Sequence, residues 1–549
     1  MKNIKPIVWF PIVAALMFVA GLFCDSILRK DSGRSIAERK LSHILNLIDN
    51  EYVDEVDLDS IMEATFPALL ANLDPHSVYI PASDLQQVNE ELDGSFSGVG
   101  IQFNLDTDTI LVVEAITGGP AEKVGIKAGD RIIKIDDENV AGTGITNEDV
   151  FKKLRGEKDT QVALTIRRNG DKKPLQFEVT RGDIPISSID AAYIAQPGIG
   201  YVKVNKFGRT TYAEFYTALG ELDADGAENF IVDLRGNTGG LMDQAVLMVN
   251  EFLPGGLKIV ETRGRNPEDN AIIGSDGSGS YQDADITVLI DEYSASASEI
   301  FAGAIQDNDR GLVVGRRSFG KGLVQHQIDL PDNSALRLTV ARYYTPSGRC
   351  IQKDYTDALS YENDLLERYE HGESFEADSI KLDKSIEFST LTGRKVYGGG
   401  GIMPDIFIPN DTVGVTSYFV SVANAGLFQK YALQYTDNNR IGLEEAKTAD
   451  GLLKMLPPDE ILLSSFTSYC AKNGVPKRPY YIKLSRDLIV NYLKALIARD
   501  ILGLSAYFEI VNETDPNVKS AIEQISAGKA KAPIAPAEAT VSADDTTNI

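Results

Sequence analysis

At 549 residues the chain exceeds what one compact core holds, and its 43% hydrophobic content with 47 glycines is that of an ordinary globular protein. Lys and Arg number 54 against 80 Asp and Glu, a formal charge of −26. That balance repels phosphate backbones, and no basic stripe with interleaved aromatics offsets it, which argues against nucleic acid as a partner. Three cysteines give no disulfide framework, and four scattered histidines without CxxC or HExxH argue against a metal; no cofactor is called for.

The first residues read as a membrane signal. Lys2 and Lys5 precede Ile7 to Phe23, an apolar run without a charge, short for a bilayer span and long for a signal-peptide core. Leu22 and Phe23 stand where processing wants small residues, so residues 1–31 are expected to be an anchor or signal, with an uncleaved inner-membrane anchor preferred. Arg29, Lys30 and Arg34 offset Lys2 and Lys5, leaving orientation unset. Residues 32–85 read as a helical region: Leu41, Ile44, Leu45 and Ile48 fall at helical spacing, as do Ile61, Ala64, Thr65, Ala68 and Leu69. LANLDPHSVYIP closes it with turn residues, and His76 is expected to make a structural hydrogen bond there.

Residues 86–182 change pattern. GVGIQFN and TILVVEAI predict strands, GGPAEKVGIKAGDRIIKIDDENV follows, then a helical NEDVFKKLRG and the strands VALTIRR and LQFEVTR. The run GxPAxxxGIxxGDxIxxID resembles a PDZ domain. Gly98, Val99, Gly100 and Ile101 would present backbone N–H groups in a concave loop for a terminal carboxylate, with the strand from Ile101 pairing to the ligand's last residues. A small β domain without a ligand is the alternative.

Residues 183–410 alternate strands and helices, the α/β pattern, as in NFIVDLRGNTGG followed by MDQAVLMVNEFL. Residues 411–526 return to helices such as DEILLSSFTSYCAKNG and RDLIVNYLKALIARDILG. Residues 527–549, rich in Ala, Pro, Thr and Asp, read as a disordered tail.

Chemistry concentrates in two segments. Tyr293 to Glu299, YSASASE, follows the apolar strand ITVLI, and a serine where a strand turns into a helix sits beside the helix's first N–H groups. Ser296 with Glu299 is also a capping box, and local sequence separates neither capping from catalysis nor Ser296 from Ser294 and Ser298. The second segment is Gly320-Lys321-Gly322. GRRSFGKG nearly matches a phosphate-binding loop, but Gly322 replaces the metal-binding hydroxyl and a strand follows, so that reading fails. Ser318 to Lys321 also matches SxxK, although the partner motifs SDN and KTG are absent and no helix begins there.

Together LDPHSVY, the PDZ segment, DLRGNTGG, SASASEI, FGKGLVQ and YYTPSGRCIQ resemble, in order, the C-terminal processing peptidases (tail-specific proteases) of the S41 type, over roughly residues 36–410. The resemblance implies a multidomain α/β protein: a crotonase/ClpP-like peptidase core, an inserted-type PDZ β domain, a helical N-terminal lead and a helical C-terminal region. It implies Ser296 as nucleophile, Lys321 as general base and Gln325 orienting the lysine. The oxyanion hole would use the N–H of Ala297 and one from the Gly239-Gly240 turn. Thr238 stands where the family often has proline, and Cys350 where it often has serine. A lysine serving as base near neutrality must drop from a pKa near ~10.4 to ~7–8, a disfavoured charge of about 4 kcal/mol, so an apolar pocket without a carboxylate partner is expected. Substrates would be proteins or peptides with free, apolar C-termini. The family favours a homodimer and leaves an adaptor protein open as a further partner. An outside-facing body in the periplasm, held at the membrane by the N-terminal segment, is the expected location. Two rivals remain: a catalytically inert PDZ-bearing envelope scaffold or chaperone, and a crotonase-type acyl-CoA enzyme, which leaves the PDZ segment unexplained.

Overall fold

A computed structural model describes residues 35–105, 108–116, 118–381 and 385–530. The chain divides into two compact units, residues 1–74 and 75–549. In the first, helix α1 (Ile36–Glu51) opens on a capping box in which Ser35 and Glu38 satisfy each other's backbone N–H at 3.1 Å. Helix α2 (Leu58–Leu70) is capped by the Asp57 carboxylate. Among the described residues no helix is long and apolar enough to cross a membrane. This overturns the expectation of an inner-membrane-anchored topology; the run Ile7–Phe23 on which it rested lies outside the described residues, as do residues 531–549 of the tail.

The second unit starts with β1 (Val78–Ile80) and α3 (Ala82–Asp93). A β domain follows: β2 (Ser95–Gly98), β3 (Ile101–Leu105), β4 (Ile110–Ala115), α4 (Pro120–Val124), β5 (Arg131–Ile135), β6 (Glu138–Asn139), α5 (Asn147–Leu154), β7 (Gln161–Arg167), β8 (Leu175–Thr180) and β9 (Gly182–Pro185). Its sheet runs β3-β4-β5-β7-β8, with β6 on β5, so β3 is an edge. Alternation places Val162, Leu164 and Ile166 of β7 inward, against Val150 and Leu154 of α5. β2 pairs with β9, which holds the domain's entry and exit side by side.

The α/β core contains β10 (Ile189–Gln196), β11 (Ile199–Val204), α6 (Thr211–Ala224), β12 (Asn229–Asp233), α7 (Met242–Asn250), β13 (Lys258–Gly264), β14 (Ala271–Gly274), β15 (Ile286–Ile290), α8 (Ala297–Asp307), β16 (Leu312–Gly315), β17 (Leu323–Asp329) and β18 (Ala335–Tyr344). An excursion carries α9 (Ala358–Glu370), β19 (Glu387–Ser389) and β20 (Lys395–Tyr397) before β21 (Ile406–Phe407). The central sheet is β10-β11-β12-β15-β16-β21, antiparallel only at β10–β11. Every residue of β11 and β15 is buried, as in strands covered on both faces; β15 reads as the uncharged run ITVLI, whereas β11 also buries Lys203. A second sheet, β1-β18-β13-β14 with β17 on β18, brings β1 and its preceding turn beside β18 and β17.

Eight helices close the described chain: α10 (Ser417–Asn424), α11 (Leu427–Leu443), α12 (Ala449–Met455), α13 (Asp459–Lys472), α14 (Pro479–Leu484), α15 (Arg486–Leu502), α16 (Leu504–Asn512) and α17 (Pro516–Ser526). They share a core of their own around Phe428 and Phe466, whose rings stack at 4.9 Å. One face of the central sheet packs on α6, α7 and α8; the other meets α17, where Val518, Ala521 and Ile525 cover Tyr201, Ile231, Leu289 and Val314. Arg131 of β5 pairs with Asp437 of α11 at 3.1 Å, joining the β domain to the helices.

Candidate active site

The turn from β15 into α8 is held by hydrogen bonds that single out one serine. The Ser294 hydroxyl donates to the Leu234 carbonyl at 2.9 Å and accepts from the Asp291 N–H at 2.9 Å; the Ser298 hydroxyl donates to the Asn237 carbonyl at 2.9 Å. Both are fully buried and serve to tie this turn to the one after β12. Ser296, between them, is half-buried, with φ 56° and ψ −115°. A serine in that sparsely populated region stores on the order of 1–3 kcal/mol, which surrounding packing must maintain.

The glycine turn presses directly on it. Gly239 has φ 101°, and a Cβ there would lie 2.6 Å from the Ala295 carbonyl oxygen and 2.7 Å from Ser296 Cβ. Only glycine allows this approach. The Gly239 N–H donates to Asn237 Oδ1 at 2.8 Å, so it is committed within the turn. Among the described residues no protein hydrogen bond takes the N–H of Ala297 or Gly240.

Lys321 arrives on the loop between β16 and β17. Its Nζ donates to Gln325 Oε1 at 3.1 Å, and Gln325 Nε2 donates to the His76 carbonyl. His76 thus does make structural bonds, and its turn positions the glutamine. His326, next in β17, is exposed. Tyr343 of β18 is fully buried, its hydroxyl within reach of the Lys321 carbonyl and 3.1 Å from that of Ser296.

Glu299 has a larger part than the cap predicted for it. Its carboxylate accepts from the N–H groups of Ser296, Gly320 and Lys321, each at 2.8 Å, and from the Ser318 hydroxyl at 2.5 Å. One buried side chain therefore joins the serine turn to the lysine loop. Burial pushes its carboxyl up to about 7 against the pull of those four donors. The sequence signal for this was a glutamate opening the otherwise apolar helix EIFAGAI. Ser318, the serine of SxxK, is wholly buried, donating to Glu299 and accepting from the Ile402 N–H at 2.6 Å.

Ser296, Ala297, Gly239, Gly240, Lys321 and Gln325 line one cleft of about 610 Å³, with Thr238 and Tyr343. Gly98 to Ile101 are not in its lining and lie apart from it, where β2 passes into β3. There the Val99 carbonyl accepts from Ala121 N–H at 2.8 Å and the Gly100 carbonyl from Ile116 N–H at 3.0 Å. Gly100 has φ 78°, and Phe103 of the edge strand meets Phe151 of α5 at 5.4 Å. No group of His, Cys, Asp and Glu able to hold a metal occurs among the described residues.

Residues 198–358 match the model of peptidase family S41, residues 111–168 that of a PDZ domain, and residues 418–503 that of a family of unknown function. Fold and matches together define a serine-type endopeptidase, with a multidomain α/β protease core, a β-rich PDZ insertion and flanking helices. The carboxy-terminal-processing protease of Bartonella bacilliformis is 35% identical over 370 residues, 64% of this chain and 84% of that protein. The carboxy-terminal processing protease CtpB of Bacillus subtilis is 34% identical over 327 residues, 59% of this chain and 67% of that one. Among solved structures, the photosystem II D1 C-terminal processing protease is 26% identical, covering 68% of this chain and 94% of its own, with a TM-score of 0.34. The chain belongs to the carboxy-terminal-processing (tail-specific) proteases of family S41.

Proposed function

We propose that this peptidase works through a Ser296–Lys321 dyad and selects substrates by a free, apolar C-terminus held at Gly98–Ile101 of the PDZ domain. The carrying observation is that Glu299 binds the backbone of both residues while Gln325 holds the lysine amine in the serine's cleft. The neutral Lys321 amine takes the Ser296 proton as Oγ attacks the peptide carbonyl, and the resulting ammonium protonates the leaving amine. Water, deprotonated by the same amine, then releases the acyl group. The oxyanion is met by the N–H groups of Ala297 and Gly240; Gly239 shapes the turn instead, since Asn237 holds its N–H. A crotonase/ClpP-like arrangement of the core fits a sheet whose strand β15 delivers the nucleophile to a helix start.

The test is a cleavage time course of the full chain on an unstructured peptide with an apolar free C-terminus, beside its amidated form. Ser296→Ala and Lys321→Ala should each lose at least about 10³-fold in turnover, Ser296→Ala should still bind the peptide, and amidation should raise KM. Turnover surviving in Ser296→Ala overturns the dyad; equal cleavage of the amidated peptide overturns C-terminal selection.

A further inference from the structure

We propose that helix α9, in the excursion between β18 and β21, is a clamp on the general base: Arg368 holds the loop that carries Lys321, and Tyr361, acting through His76, holds Gln325. The inference rests on the Ser296–Lys321 reading above and assigns Arg368 and Tyr361 as positioning residues.

The lysine loop is gripped from two sides. On the nucleophile's side the Phe319 N–H goes to the Ser294 carbonyl at 3.0 Å, and the Gly320 and Lys321 N–H groups go to Glu299. Those bonds fix the loop's donors and leave its carbonyls. The excursion supplies their partners: Arg368 Nη1 donates to the Ser318 carbonyl at 2.8 Å, Arg368 Nη2 to the Phe319 carbonyl at 3.1 Å, and the Lys353 N–H to the Gly320 carbonyl at 2.9 Å. A planar guanidinium bonding two successive carbonyls fixes two peptide planes at once, which a single flexible donor does not. Arg368 is 6% exposed, with Asp364 one turn back at 3.0 Å balancing its charge. At the loop's start Arg317 forms a two-pronged pair with Glu373, just past α9, at 2.5 and 2.7 Å.

A second line of contacts reaches the same amine from behind. The Tyr361 hydroxyl lies 2.6 Å from His76 Nε2; the His76 carbonyl accepts from Gln325; Gln325 accepts from Lys321 Nζ. The Tyr361 ring also stands edge-on to Phe319 at 6.1 Å, and Lys353 Nζ sits over both rings at 4.2 and 3.9 Å. The base is thus fixed both through its main chain and at its amine, and both lines begin on α9. Displacing a reacting group by ~1 Å costs on the order of 100-fold in rate, so loosening either line should appear in kcat.

The experiment measures kcat and KM of the full chain on the free-C-terminus peptide for Arg368→Ala, Arg368→Lys, Tyr361→Phe and Lys321→Ala, with melting temperatures alongside. Expected is a fall in kcat of about 10–100-fold for Arg368→Ala with KM within about 2-fold, partial recovery in Arg368→Lys, and a fall of about 3–10-fold for Tyr361→Phe. Tyr361→Phe removes one hydroxyl and keeps the ring, so it decides the matter if Arg368→Ala does not fold. Wild-type kcat in both Tyr361→Phe and Arg368→Lys, with Lys321→Ala inactive, overturns the clamp and leaves the dyad standing. A fall in activity that tracks KM or the melting temperature also overturns it. Turnover retained in Lys321→Ala defeats the dyad itself, and the clamp with it.

Discussion

The cleft proposed for cleavage and the PDZ loop proposed to hold a chain end are constructed differently. Around Ser296 and Lys321, buried side chains take up the main-chain groups: Glu299 gathers three N–H groups and a hydroxyl, Asn237 holds Gly239, and Arg368 covers two carbonyls. At Gly98–Ile101 the loop is anchored by carbonyls of Val99 and Gly100, and β3 keeps a sheet edge. The difference suits the tasks proposed for them. Proton transfer between two side chains needs fixed geometry, whereas capturing varied chain ends needs an accessible strand and room for a carboxylate.

Three substitutions test how separate these regions are. The largest effect is expected at Gly239→Ala, whose Cβ would enter the Ala295 carbonyl at 2.6 Å in a backbone of φ 101°. Turnover should fall by about 100-fold or more while peptide binding, measured by fluorescence anisotropy, stays within about 2-fold. Wild-type turnover would mean the glycine turn does not brace the serine.

The next concerns Glu299. Its carboxyl is raised to about 7 from an ordinary value of 4.5, so between those values the unfolded chain is ionised while the folded one keeps its proton. Its contribution is therefore lost as pH rises through that window and is flat above it, about 3 kcal/mol in all. Relative to Glu299→Gln, the wild-type melting temperature should decline between pH 5 and 7.5; parallel curves would contradict this. The smallest effect belongs to the PDZ loop. Gly100→Ala, at φ 78° and 2.8 Å from Ile184 Cδ1, should raise KM about 3–10-fold and leave kcat within about 2-fold. A fall in kcat instead would show that the two regions act as one.

Sequence made the strand-to-helix serine and the PDZ pattern legible because each is local: ITVLI is buried on both faces, and Ser296 starts the helix that Glu299 supports. It hid the second use of Glu299, because its partners Ser318, Gly320 and Lys321 lie on the next loop and leave no periodic trace. β1 was equally hidden. Three residues carry no alternation, and it is a strand only because Val78 pairs with Arg337. The family pattern offered one oxyanion donor from the Gly239-Gly240 turn without saying which; the side chain of Asn237, two residues back, takes the Gly239 N–H, a contact no spacing rule announced. Helix α9 itself gave no motif. Arg368 and Tyr361 matter through contacts with Ser318, Phe319 and His76, which no spacing rule connects.

The last described helix closes the central sheet from its far side. Arg235, on the turn after β12, pairs with Asp515 at 2.7 Å, across 280 positions of sequence, and α17 beyond it covers the sheet face under Ile231 and Leu289. Without residues 516–526 the apolar side chains of that face would meet water. A chain that carried Ser296, Lys321 and the PDZ domain but not α17 would lack the floor beneath strand β15. The finished core of this protease therefore depends on a segment that follows β15 at long range in the chain and folds back onto its sheet.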